Sequence, residues 1–315
     1  MGHKVGETMH FLMTVDVEGF SIPLNRCDHN TSKEVYEIGL PRLLDLLARH
    51  DIPATFYFTG KMAEAFPGSV ELVMEHGHEI GCHGYDHSHD RAFDVLSYSE
   101  QLSDLEKAKD IITGLAGRIE SFRAPALRLN ESTVRALEKT GFRTDSSICS
   151  QRFDGPFTFG SKKKLNWLFA PRKPYFLSYS SIFQRGGSKI LEIPVSALFF
   201  SYSGTVMRRA PNITKLLQKS LFMESRATGK PLIFLFHPNE CLDAGNSVVA
   251  NRRASSYIQY LFSDVIRQRL KLNNLGMNAL KLLDELFKSA KEYNPEFITV
   301  KDYRKSYRGL DEHRD

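Results

Sequence analysis

The chain has 315 residues, enough for one large barrel or two ordinary domains, and its 42% hydrophobic and 25% charged composition is that of a soluble globular protein. A net charge of +5 favours anionic partners without naming one, and no run of about 18 apolar residues marks a membrane span. The opening residues lack the order of a signal peptide, and the scattered Cys27, Cys82, Cys149 and Cys241 form no C-x-x-C pair, so a cytoplasmic protein with reduced thiols is expected.

"HFLMTVDV" (10–17) opens the chain as an apolar strand, and helical spacing follows over 33–49. "ATFYFTG" (54–60) is the next strand, with a helix over 61–76 closed by Gly77. "HEIGCHG" (78–84) and "IESFRAP" (119–125) bracket a helix over 98–114, and a further helix over 131–140 ends at Gly141. "KILEIPVS" (189–196) and "PLIFLFHP" (231–238) bracket a helix over 213–227, and a helix over 274–292 leads to "EFITV" (296–300).

This alternation predicts an α/β fold with a parallel sheet, and about seven units favour closure into a barrel. Chemistry then belongs at the C-terminal ends of the strands, where Asp16, His83, Arg123 and His237 fall. Two segments break the repeat: 150–188, which is aromatic and basic, and 240–272, a polar loop leading into an amphipathic stretch. Both are expected as insertions over the active face of a single domain with its core at about 9–303.

Asp16 and Glu18 are two residues apart at a strand end, so both side chains leave on one face. They repel unless a positive group lies near; the bland alternative is a solvated strand end. "HEIGCHGYDHSH" (78–89) carries His78, His83, His87 and His89. His83 and His87 are spaced so that both imidazoles converge on one ion from a helical turn. A carboxylate from another strand end would complete three protein ligands and leave room for water. His78, at the start of its strand, is read as structural and His89 as loop. A histidine after "LIFLF" is poorly explained as solvated surface, which favours a catalytic His237.

"TVDVE", "HEIGCHGYDH", "FRAP", "TDSS" and "LFHPNE" occur in this order over about 9–303. The set resembles the polysaccharide deacetylases with a NodB-homology domain, carbohydrate esterase family 4. The resemblance implies a distorted (β/α)7 barrel and metal-dependent hydrolysis of an N-acetyl group on a sugar or glycan. Asp16 matches the general base, His83 and His87 the metal-binding histidines, and His237 the general acid. The usual third ligand directly follows the base, where this chain has Val17; Glu18, one residue later, fits the pattern of some relatives. Arg123 and Pro125 match the third motif, with Arg123 expected to hold Asp16 by a forked hydrogen bond. Ala126 stands where relatives often carry an aromatic residue, and its N–H is the expected oxyanion donor. Asp145 matches the acid that tunes the catalytic histidine. The implied cofactor is one divalent metal ion, Zn²⁺ or another first-row ion.

No G-x-S-x-G elbow points to a serine hydrolase, and "ATGKPL" lacks the Ser/Thr of a phosphate-binding loop. The basic run Lys162–Lys164 reads as a solvated turn rather than a nucleic-acid site. The other readings are a non-enzymatic carbohydrate- or metal-binding module and a deformylase of a lipid-linked amino sugar. For the last, Trp167, Phe169, Tyr175 and Phe176 with Arg172 and Lys173 would make peripheral membrane contact; the alternative is a lid packed on the barrel.

Overall fold

The computed structural model describes residues 8–152, 167–243 and 272–307, apart from the side chain of His89. Among these, one nine-stranded sheet is built from β1 (His10–Val17), β2 (Ala54–Phe58), β3 (Glu79–Cys82), β4 (Ser121–Phe122), β5 (Thr144–Asp145), β6 (Tyr175–Phe176), β7 (Leu191–Glu192), β8 (Leu232–Phe236) and β9 (Glu296–Phe297). β1 is buried along almost its whole length, as a strand covered on both faces must be, and its run of apolar residues reflects this. The order is β8-β1-β2-β3-β4-β5-β7-β6, with β9 on the start of β1. The pairings are parallel except β6 against β7. Segment 195–203 bridges the two flanks. Val195 N–H donates to the Ile148 carbonyl at 2.8 Å and Ser196 N–H to that of Ile233 at 3.2 Å. The result is the distorted (β/α)7 barrel expected from the sequence.

Helices α1 (Leu40–His50), α2 (Gly60–Ala65), α3 (Pro67–Glu75), α4 (Tyr98–Ala116), α5 (Glu131–Lys139), α6 (Pro211–Thr228), α7 (Met277–Lys291) and α8 (Val300–Ser306) surround the sheet. α1 buries Leu40, Leu43, Leu44 and Leu47 at three- and four-residue spacing, and α4 starts at a capping box formed by Ser97 and Glu100. The helix expected over 61–76 is two helices. Pro67 cannot continue α2, and Phe66 before it leaves the helical region at φ −137°, ψ 68°.

Segment 150–188 is not wholly an insertion, because Tyr175–Phe176 is a strand of the main sheet. Trp167, Tyr175 and Phe176 are buried. Arg172 pairs with Glu224 and donates to the Ala197 carbonyl. Of the aromatic residues considered for lipid contact only Phe169 is exposed, so the described part of this segment packs against the barrel. Lys162–Lys164 and most of 240–272 lie outside the described residues. Among the described residues no helix is long and apolar enough to cross a membrane, and all four cysteines are free.

Candidate active site

Parallel strands bring the chemistry to one end of the barrel. Asp16 is the penultimate residue of β1 and Asp145 the last of β5, while His83, Arg123 and His237 directly follow β3, β4 and β8. The two-residue spacing of Asp16 and Glu18 has the expected consequence: Asp16 Oδ2 lies 3.7 Å and Glu18 Oε2 3.6 Å from the same atom, His83 Nε2. Val17, between them, is fully buried in the core.

His83 and His87 do converge, with ring centroids 5.5 Å apart, but not on a helical turn. The chain between them is an irregular loop that bends at Gly84, φ +68°, a left-handed conformation suited to glycine. The loop is pinned on both sides. Gly60 N–H donates to the Gly84 carbonyl, Tyr85 N–H to Asp104 Oδ1 at 2.8 Å, and Ser88 N–H to Asp86 Oδ1 at 3.1 Å.

Glu18, His83 and His87 each offer a ligand atom, all within 4.8 Å of one another. His83 Nδ1 lies 2.8 Å from the Arg123 carbonyl and so carries the proton, leaving a lone pair on Nε2. That Nε2 and Glu18 Oε2 are buried without a hydrogen-bond partner. His87 Nε2 stands 2.9 Å from Glu18 Oε2 and accepts the Ala126 N–H at 3.1 Å. Electron pairs facing one another in a buried space need a cation, and the His₂Glu donor set suits a divalent one. Burial opposes ionisation of Glu18, but the two histidines outweigh it and hold its carboxyl well below the ordinary range.

Arg123 is fully buried, and all three nitrogens of its guanidinium donate hydrogen bonds. Nη1 donates to Asp16 Oδ1 at 2.9 Å and Thr14 Oγ1 at 3.0 Å; Nε and Nη2 donate to the Ser146 carbonyl and Oγ at 2.7 and 2.8 Å. The contact with Asp16 is thus one hydrogen bond rather than a fork, because the other arm is spent on Ser146. Tyr57 lies under the guanidinium at 4.6 Å. His237 closes the site from the far side, its Nε2 3.9 Å from Asp16 Oδ2 and its side chain 23% exposed. Ala126, just past Pro125, adopts φ +54°, and this turn aims its N–H at the cluster. His78 lies elsewhere, accepting the Ala54 N–H and packed on Phe56, and burial lowers its pKa to about 4.

Residues 33–144 match the polysaccharide deacetylase family model. Over that stretch, about a third of its length, the chain is similar to polysaccharide deacetylases. It is 31% identical to a peptidoglycan deacetylase of Helicobacter pylori over 118 residues, 37% of this chain and 39% of that one. The chain spans between 30% and 51% of the length of the first curated relatives it matches. The fold is shared with a probable polysaccharide deacetylase from Pseudomonas aeruginosa PAO1 (TM-score 0.62, 15% identity, 98% of this chain and 93% of that one). It is shared equally with Puue allantoinase (TM-score 0.61, 16% identity, 99% and 94%), so likeness at this level speaks for fold alone.

Asp145 does not touch His237. Its carboxylate accepts the Ser147 hydroxyl, and Ser147 Oγ accepts the Ala124 N–H at 2.8 Å, so Asp145 braces the loop that carries Arg123 and Ala126. Glu192, at the end of β7, is its other neighbour. Burial drives both carboxyls toward the neutral form, Asp145 to about 6 and Glu192 well above its usual value. The acid beside His237 is Glu240, 3.1 Å from its Nδ1. Sequence reading missed Glu240, Thr14, Ser146 and Ser147 as site residues, although Glu240 stands in the quoted "LFHPNE".

A raised carboxyl pKa favours folding while the group is protonated. Between the ordinary value of 3.8 and about 6 the folded chain holds the Asp145 proton more tightly than the unfolded one, and stability falls as pH rises through that window. Asp145→Asn, which mimics the protonated form, is therefore expected to melt near wild type at pH 5 and above it at pH 8. Thermal melts at the two pH values provide the check, and an equal loss at both would count against a raised Asp145 pKa.

Proposed function

We propose that the chain is a metal-dependent N-deacetylase acting on an N-acetylated sugar or glycan precursor. The observation that carries this reading is the set of unpartnered lone pairs on Glu18 and His83, with His87 beside them, facing a carboxylate anchored by Arg123. A divalent ion held by Glu18, His83 and His87, with Zn²⁺ the first candidate, would polarise the amide carbonyl and lower the pKa of water. Asp16, paired with and oriented by Arg123, takes the proton from the attacking water. The Ala126 N–H, which here donates to His87 Nε2, would be freed for the developing oxyanion once that nitrogen's lone pair is given to the ion. His237, protonated, gives its proton to the departing amine, a poor leaving group without it. The relatives named as deacetylases support the acetyl group and the glycan class.

Incubating the metal-loaded chain with N-acetylated chito-oligosaccharides, followed by mass spectrometry, tests this. Loss of an acetyl mass that stops on chelation is expected. Stoichiometric metal binding with no acyl loss from any N-acylated sugar would support a binding module instead.

A further inference from the structure

Glu240 and Arg208 form a buried ion pair beside the site, 1% and 2% exposed. Arg208 Nε stands 2.5 Å from Glu240 Oε2, and its Nη1 donates to the Asn273 carbonyl at 2.8 Å. Asn274 returns a hydrogen bond to the Arg208 carbonyl at 2.7 Å, and Gly276 N–H donates to the Glu240 carbonyl at 2.9 Å. Gly204 makes the room, since a Cβ there would lie 2.7 and 2.8 Å from the two carboxylate oxygens.

A buried ion pair of this kind contributes little to stability compared with apolar residues of the same volume. What it does achieve is a carboxylate fixed in place, with Oε1 turned to His237 Nδ1. Accepting that N–H sets the orientation of the imidazole and leaves Nε2 toward Asp16. Burial works against a charged imidazole, yet the hydrogen bond to Glu240, aided by the charges of Glu18 and Asp16, lifts His237 to about 9.

We propose that Glu240, locked by Arg208, is the positioning residue for His237, the task that the resemblance assigns to Asp145. The proposal rests on the catalytic reading of His237, but its test does not. The imidazole of His237 is titrated by NMR in the zinc-loaded chain, its signal assigned by its loss in His237→Gln. Glu240→Gln is expected to lower the midpoint by about one unit or more, a tenfold loss of proton affinity. Glu240→Asp restores part of the shift, and Asp145→Asn leaves the midpoint where it was. Because Glu240→Gln removes the carboxylate that faces buried Arg208, Arg208→Met/Glu240→Gln is measured alongside and should show the same drop in a chain without that buried charge. In the turnover assay Glu240→Gln lowers kcat with KM little changed. An unchanged His237 midpoint in both Glu240 variants, or an equal drop in Asp145→Asn, would overturn the proposal. The titration needs no turnover, so a chain that deacetylates nothing still decides it.

Discussion

His237→Ala is expected to lower turnover by about 10²–10⁴-fold while the chain keeps its divalent metal. The two halves of this expectation come from different distances. His237 Nε2 is 3.9 Å from Asp16 and stands outside the group formed by Glu18, His83 and His87, so its removal takes no ligand away. It is nonetheless the protonated nitrogen facing the space between base and cluster, and an amine cannot leave without a proton. The position is 23% exposed, so water fills the gap and the fold loses little. Metal content by mass spectrometry and kcat on an acetylated glycan check the two halves separately. The wild-type rate should also fall on the alkaline side as the raised His237 loses its proton, and that limb should vanish in the variant. Turnover at wild-type level would remove His237 from the scheme, and loss of the metal would make it a ligand instead.

The parts of the fold that the sequence made legible are those whose signal is local. β1 and β8 are apolar over five or more residues, and their ends could be read to within a residue or two. Since parallel strands all finish at one side, Asp16, His83, Arg123 and His237 could be gathered without knowing any strand order. β5 and β6 were not legible because Thr144–Asp145 lies in the polar stretch "RTDSS" and Tyr175–Phe176 in a segment read as an insertion, so each shows only through its neighbours' hydrogen bonds. The His83/His87 spacing was read as a helical turn because four residues fit one. A left-handed glycine between them reaches the same convergence by a bend.

Glu240 was hidden for another reason. Its partner Arg208 is 32 residues away on a short helix, Gly204–Arg209, and a charge is recognisable as buried and paired only once that helix has docked. Asp145 shows the converse risk. Its place in the motif order was right, but the contacts that decide its task are with Ser147 and Glu192, and neither residue was read as part of the site.

Glu18→Ala should convert stoichiometric zinc binding into weak, substoichiometric binding, with loss of activity following from loss of the metal. The usual position for this ligand directly follows the base, where this chain has Val17, so the variant tests whether the acid one residue later does the work. Strand alternation says that it does: Asp16 and Glu18 approach the same His83 nitrogen, while Val17, in register with Phe58 on β2, is fully buried. A ligand that binds only the folded chain stabilises it by about 2.7 kcal/mol at a hundred times its dissociation constant, so the zinc-dependent rise in melting temperature should disappear with Glu18. Adding Val17→Asp to Glu18→Ala should not bring it back, because the new carboxylate would enter the apolar core instead of the cluster. Full zinc occupancy in Glu18→Ala, or rescue by Val17→Asp, would mean that the ion is held by a different set of atoms from the one the fold presents.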